Sequence, residues 1–191
     1  MHRKSKQSIA RVAPLRSPYE PDVAEVLQAL GPPLALFRVF ARRPARARGI
    51  LGWGRYYLSR NLALTMRDRE LVILRTTALL RAQYEWGIHV AAYADKARLD
   101  GDQIRSVTRG SADDACWSDP RDRAVLRAVD ELCRSHDLSD AAWQALVEAV
   151  GEDGAIDLLL LRGWYHGISF VARAARLPDE PDTPTFTDIH D

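Results

Sequence analysis

Apolar positions in this chain recur at helical intervals almost from end to end. Val23, Val26, Leu27 and Leu30 fall at i, i+3, i+4 and i+7, and Gly31-Pro32-Pro33 stops the run, which predicts a first helix from Asp22. A short second helix is expected over 34–41, ending before Pro44. A third covers roughly 45–60, with Ile50, Leu51, Trp53, Tyr57 and Leu58 as its apolar content. Thr65, with Asp68 three positions on, has the form of a capped helix start. The helix it opens carries Leu71, Val72, Leu74, Ala78 and Leu79. Its β-branched residues Val72, Ile73, Thr76 and Thr77 also suit a strand. The segment is too long for one, however, and Leu71, Leu74, Arg75 and Ala78 keep three- and four-residue spacing, so a buried helix is expected.

Further helices are predicted over 84–99, 102–108, 119–135, 139–151 and 153–176, with Asp119-Pro120 and Ser139 as starts. No segment alternates with period two. The pattern therefore predicts an all-α fold of about eight helices joined by short loops. Residues 1–20 lack periodicity and read as an N-terminal arm, 21–177 as the helical domain, and 178–191 as an acidic, proline-bearing tail. Arg121-Asp122-Arg123 echoes Arg67-Asp68-Arg69, but the residues after each triplet diverge, and the echo reads as chance rather than as a repeat.

Composition narrows the partners. A chain of 191 residues can bury a sizeable core, and its net charge of +1 provides no global field toward nucleic acid. Two basic groups, His2, Arg3, Lys4 and Lys6 at the start and Arg42, Arg43, Arg46 and Arg48 around Pro44, read as solvated surface. Cys116 and Cys133 stand seventeen positions apart and match neither a redox CxxC nor a zinc spacing, so two ordinary thiols in a reducing, cytoplasmic setting are expected. The longest apolar run, 155–161, is broken by Asp157 and is too short to cross a bilayer. The basic N-terminus lacks the apolar stretch that a signal peptide would require after it. Neither a membrane nor a nucleic acid is expected as a partner.

Candidate chemistry concentrates in 67–89, RDRELVILRTTALLRAQYEWGIH. Glu70 lies in the first turn of an apolar helix, and Glu85 and His89 share a face one turn apart on the next. Tyr84 and Trp86 flank them. If the two helices pack as a hairpin, Glu70 reaches His89, and a carboxylate beside an imidazole fixes its tautomer and raises its basicity, as a proton relay requires. Spacing alone leaves plainer readings open: a helix-dipole complement at Glu70, a surface pair at 85 and 89, and core aromatics. His166, after Trp164 and Tyr165, is a second candidate, or a core histidine with a satisfied hydrogen bond. Glu70, Glu85, His89 and His166 could in principle hold a metal, but no HxxxH or HxxE pair supports one, and no metal or organic cofactor is expected.

The stretch ELVILRTTALLRAQYEWGIHVAAYADKARLDGDQI resembles the core motif of the carboxymuconolactone decarboxylase superfamily, which includes the alkylhydroperoxidase-D-like proteins. The resemblance is strong over about 62–110, and Gly101 and Ile104 echo the start of that family's next helix. It implies an alkylhydroperoxidase-D-like helical bundle, with Glu70 matching the proton-relay glutamate and His89 the motif histidine. The peroxidatic and resolving cysteines of the peroxidase branch would fall at Ala82 and Glu85, neither of which can form the thiolate that chemistry needs. Glu85 resembles the decarboxylase-like branch instead. The resemblance thus implies a cofactor-independent lyase or isomerase acting on a small lactone or carboxylated ring. Glu70, Glu85 and His89 would be catalytic, with Tyr84, Trp86 and His166 against the substrate. Arg75, Arg81 and Arg162 would either hold a substrate carboxylate or pair at the surface. A homo-oligomer, dimer, trimer or hexamer, is implied as well, for which Trp53, Tyr56, Tyr57 and Trp143 could supply interface or core. Two alternatives stay open: an alkylhydroperoxidase-like antioxidant working through Cys116 or Cys133, and a non-catalytic oligomeric small-molecule-binding protein.

Overall fold

The computed structural model describes residues 9–189; His2, Arg3, Lys4 and Lys6, and His190, lie outside them. The described residues form eight α-helices and a short 3-10 turn, with no strand: α1 (Pro21–Leu30), α2 (Ala35–Phe40), α3 (Pro44–Tyr57), α4 (Met66–Leu79), α5 (Gln83–Tyr93), α6 (Gly101–Arg109), α7 (Pro120–Ser135) and α8 (Asp140–Ala175). This is the all-α bundle that the periodicity predicts.

Helix α4 is the axis around which α5, α6, α7 and α8 pack, and every residue from Asp68 to Ala78 is buried. Over that span its apolar residues are enclosed on every side, and its buried charges Asp68, Glu70 and Arg75 are each paired. Its β-branched residues cause no strand because each face has a neighbour to pack against. Thr77 satisfies its buried hydroxyl by donating to the Ile73 carbonyl at 2.8 Å. Thr65 and Asp68 close both halves of a capping box at its start.

The first two residues of each Arg-Asp-Arg triplet meet in space. Arg67 donates to Asp122 through Nε at 3.0 Å and Nη2 at 2.7 Å, and Arg121 donates to Asp68 through Nε at 2.9 Å and Nη2 at 2.8 Å. This reciprocal clamp ties the first turn of α4 to the first turn of α7. Both aspartates are buried, so losing either arginine leaves an unpaired charge in the interior. Arg67→Ala is expected to destabilise the fold by about 3 kcal/mol, read as a shift in the denaturant midpoint. A loss below about 1 kcal/mol would be that of an ordinary exposed pair and would remove the clamp from the account of stability.

Two helix ends depart from the periodicity. Helix α5 stops at Tyr93 rather than near residue 99: the chain leaves it in turns that close at left-handed Arg98, φ 55°, where Leu99 N donates to the Ala94 carbonyl at 3.0 Å, and Arg67 Nη1 caps the carbonyls of Ala97 at 3.0 Å and Arg98 at 2.8 Å. Helix α3 ends at Tyr57, short of residue 60. Within α8 the backbone breaks at Gly151, whose φ of 79° and ψ of 169° are non-helical and cheap only for glycine, so the two helices expected over 139–151 and 153–176 meet there at a kink.

Two apolar clusters result. The larger lies around α4, α7 and α8; the smaller joins α1, α2 and the start of α3 to Ile168, Ala172 and Ala175 of α8. Residues at both ends lie against this body. Arg11 N donates to the Ala175 carbonyl at 2.8 Å, and Phe186 packs its ring on Trp86 at 5.0 Å. Gly87 is obligatory there, since a Cβ would meet the Pro184 carbonyl oxygen at 2.5 Å. Of the four aromatics weighed for an interface, Tyr57 is core, Tyr56 donates to Asp157, and Trp53 and Trp143 are exposed. No helix of the described residues is long and apolar enough to cross a membrane.

Candidate active site

The site is built where α5 begins. The chain turns through Arg81, at φ 54°, and the next residues leave the helix roughly 100° apart. Tyr84, Glu85 and Trp86 therefore go three ways. Tyr84 points to α2, where its hydroxyl accepts from Leu36 N at 3.0 Å and donates to Glu180 at 2.6 Å. Trp86 points into the larger cluster and donates to Thr108 Oγ1 at 3.1 Å. Glu85 turns into a cavity. It is 5% exposed, and its Oε1 has no hydrogen-bond partner.

One turn along α5, His89 joins two other helices. Its Nδ1 lies 2.8 Å from Glu70 Oε2 on α4, and its Nε2 lies 2.9 Å from the Tyr165 hydroxyl on α8. Glu70 is wholly enclosed, and its other oxygen accepts from Arg69 Nε at 2.8 Å, with Arg69 held over the Tyr93 ring at 4.9 Å. Burial pushes the Glu70 carboxyl up, but His89 and Arg69 outweigh it and hold it below the usual carboxylate range. An ionised Glu70 can only accept, so His89 Nδ1–H donates to it, and Nε2 shares the bond on the other side of the ring with the Tyr165 hydroxyl. Burial, with Glu85 and Glu70 nearby, raises the Tyr165 phenol well above its ordinary value, and it stays protonated. The three side chains form one hydrogen-bonded chain ending in a neutral hydroxyl.

Glu85 is the opposite case. Burial pushes its carboxyl up to about 7, against the pull of His89 and with a push from Glu180. Its place in the first turn of α5 favours the anion, but burial outweighs the dipole. It therefore exchanges its proton near neutral pH, where a general acid or base is most useful.

The cavity these groups face has a volume of about 470 Å³ and lies at the seam between the two apolar clusters. Glu85, His89, Tyr93 and Tyr165 make its polar end; Leu36, Phe40, Ile50, Leu51 and Ile168 are among its apolar walls. Tyr84, Trp86 and His166 do not line it, contrary to the expectation that they bind substrate. For the first two the reason is the rotation along α5. His166 sits on the outer face of α8, accepts from Arg162 at 2.5 Å and packs on exposed Phe170. Tyr165, one position earlier, is the residue that points inward. Its signal lies in the apolar stripe Leu158, Leu161, Tyr165, Ile168 and Ala172, which passes through position 165 and misses 166.

The candidate arginines lie elsewhere: Arg75 pairs with Asp130, Arg162 with His166, and Arg81 is exposed. Among the described residues, Arg55 is the one cationic side chain on the cavity wall. It stands exposed at the rim and donates to the Ala29 carbonyl at 3.3 Å. Cys116 and Cys133 are half-buried free thiols off the cavity. No group of three His, Cys, Asp or Glu among the described residues is placed to hold a metal.

Residues 44–131, from the first residue of α3 into α7, match the model of the carboxymuconolactone decarboxylase family. These residues are a carboxymuconolactone decarboxylase family domain. The carboxymuconolactone decarboxylase match contains Glu70, Glu85 and His89, whereas Tyr165 lies beyond it on α8. Among proteins of curated function, none matches the sequence. Among solved structures, the chain superimposes on a cysteine-to-alanine variant of the debrominase Bmp8 in complex with 2,3,4-tribromopyrrole. The TM-score is 0.72 at 15% identity, covering 89% of this chain and 91% of that one. The two proteins share the all-α fold, and it is one that carries an enzyme in Bmp8.

Proposed function

We propose that the chain is a cofactor-independent lyase or isomerase that moves a proton on a small lactone or carboxylated ring. The observation that carries this reading is the Glu70–His89–Tyr165 chain, whose hydroxyl opens on a cavity beside an unpartnered, buried Glu85. When a carbon next to a carbonyl loses carbon dioxide or a proton, the electron pair left behind spreads onto the carbonyl oxygen. With Nε2–H donating to the Tyr165 oxygen, the Tyr165 O–H is free to donate to that carbonyl oxygen, and His89, polarised by Glu70, adjusts how strongly it does so. Glu85 supplies or takes the proton at carbon. The cavity lies in the range that encloses small organic ligands. Bmp8, a protein of the same fold, binds a small planar ring, 2,3,4-tribromopyrrole.

Peroxide reduction has no comparable support. It needs a thiolate at the reacting point, and Ala82 and Glu85 stand where the resemblance puts the cysteines, with Cys116 and Cys133 off the cavity wall.

A panel of lactones and carboxylated rings tests the reading, with turnover followed in the wild type and in His89→Gln. The expected result is a loss of roughly 100-fold or more in kcat/KM in the variant, with the unfolding midpoint within a few degrees of wild type. Turnover unaffected by His89→Gln would overturn the assignment. Glu70→Gln is the poorer probe, because it strands buried Arg69 and mixes lost stability with lost chemistry.

A further inference from the structure

The charges around the cavity restrict what it accepts. Its polar end already holds the Glu70 anion behind His89, and Glu85, with no Lys or Arg facing either from the cavity side among the described residues and His89 committed to Glu70 and Tyr165. Arg69 is committed to Glu70 and to the Tyr93 ring, and Arg55 stands at the solvent rim. A substrate carboxylate at the polar end would meet Glu85 unpaired; at the other end it would lie against Leu36, Phe40 and Ile50. A neutral carbonyl, by contrast, gives the Tyr165 hydroxyl an acceptor. It also sets the neighbouring carbon against Glu85, whose Oε1 is enclosed and without a partner.

We infer that this site takes an uncharged, largely apolar carbonyl compound, a neutral lactone or enone, and shifts its double bond into conjugation, with Glu85 carrying the proton. The inference rests on the acid–base reading above and chooses isomerase over decarboxylase within it. The Glu85 carboxylate takes the proton from the carbon between carbonyl and alkene. The C–H electron pair becomes a new C=C bond, and the carbonyl π pair moves onto oxygen, which the Tyr165 O–H holds by donation. The carbonyl then re-forms, and the far carbon of the dienolate takes the proton back from the Glu85 carboxylic acid. One proton leaves one carbon and reaches another, and no electrons are gained or lost. No co-reactant is consumed.

Two probes test this: γ-phenyl-β,γ-butenolide and its 4-carboxyphenyl analogue, incubated with the full chain in deuterium oxide and followed by proton NMR. The expected result is conversion of the neutral lactone to its α,β-isomer with deuterium entering at carbon. A preference of about tenfold or more in kcat/KM over the charged analogue, and a loss of roughly 100-fold or more in Glu85→Gln, complete the expectation. Equal or faster consumption of the carboxylated analogue overturns the inference, as does full activity in Glu85→Gln or no conversion of the neutral lactone. If the neutral lactone is inert while carboxylated rings lose carbon dioxide in a His89-dependent way, the inference fails and the acid–base reading stands. If the lactone isomerises through Glu85 but His89→Gln has no effect, the inference holds and the relay fails.

Discussion

Tyr165→Phe is expected to lower kcat by roughly 100- to 1,000-fold while leaving the fold and KM nearly unchanged. The substitution removes one oxygen and nothing else. The ring of residue 165 meets the His89 ring edge-on, with centroids 5.1 Å apart at 86°, and phenylalanine keeps that packing. It loses the hydrogen bond to Nε2, which is worth about 1 kcal/mol, so the unfolding midpoint moves by only a few degrees. The cavity loses no wall, so an apolar substrate still enters. The variant lacks only the donor facing the oxygen on which charge gathers, and an interaction made chiefly in the transition state appears in kcat rather than KM. Measured kcat, KM and midpoint separate the two roles. A variant with kcat within threefold of wild type and a lowered midpoint would make Tyr165 a structural partner of His89 and nothing more.

That Tyr165 escapes sequence reasoning while Glu70 and His89 do not has a physical cause. Glu70 and His89 sit on consecutive helices, and a short connection makes consecutive helices neighbours, so helical spacing together with a hairpin brings them within reach. Tyr165 stands 76 positions beyond His89, and only the docking of α8 onto α4 and α5 places it there. Local order also misleads at Tyr84 and Trp86, which neighbour Glu85 along the chain yet point elsewhere by helix rotation. The clamp between 67–68 and 121–122 falls within a repeated triplet, but repetition does not reveal that the two copies pair. The early end of α5 is equally out of reach of the periodicity, since the turns after Tyr93 close at left-handed Arg98, whose carbonyl Arg67 takes. Helix existence is thus legible from period alone. Long-range pairings are not, because period carries no information about which faces meet.

Raising the pH from 5 to 8 is expected to weaken the wild-type fold, and Glu85→Gln to abolish that weakening. Glu85 titrates near 4.5 when unfolded and near 7 when folded, because the interior penalises its charge. Between those values the unfolded chain has released the proton that the folded chain still holds. Stability therefore falls as pH rises across this window and levels off above about 7. The full loss is about 3 kcal/mol. Glu70 and Asp68 act in the other direction, since their carboxyls are held below the usual range: their contribution is complete above about pH 5 and is lost only on acidification. His166, held below the ordinary imidazole value by burial and Arg162, adds an opposite slope in the lower part of the window, and the comparison with Glu85→Gln cancels it. Glutamine has the same shape and no charge, so Glu85→Gln should match wild type near pH 5 and exceed it by about 3 kcal/mol at pH 8, measured by denaturant unfolding at both values. A constant difference between the two proteins at both pH values would show that Glu85 does not titrate there. A residue that costs the fold this much at neutral pH, and whose replacement removes both the cost and the turnover, is held at its position by chemistry rather than by packing.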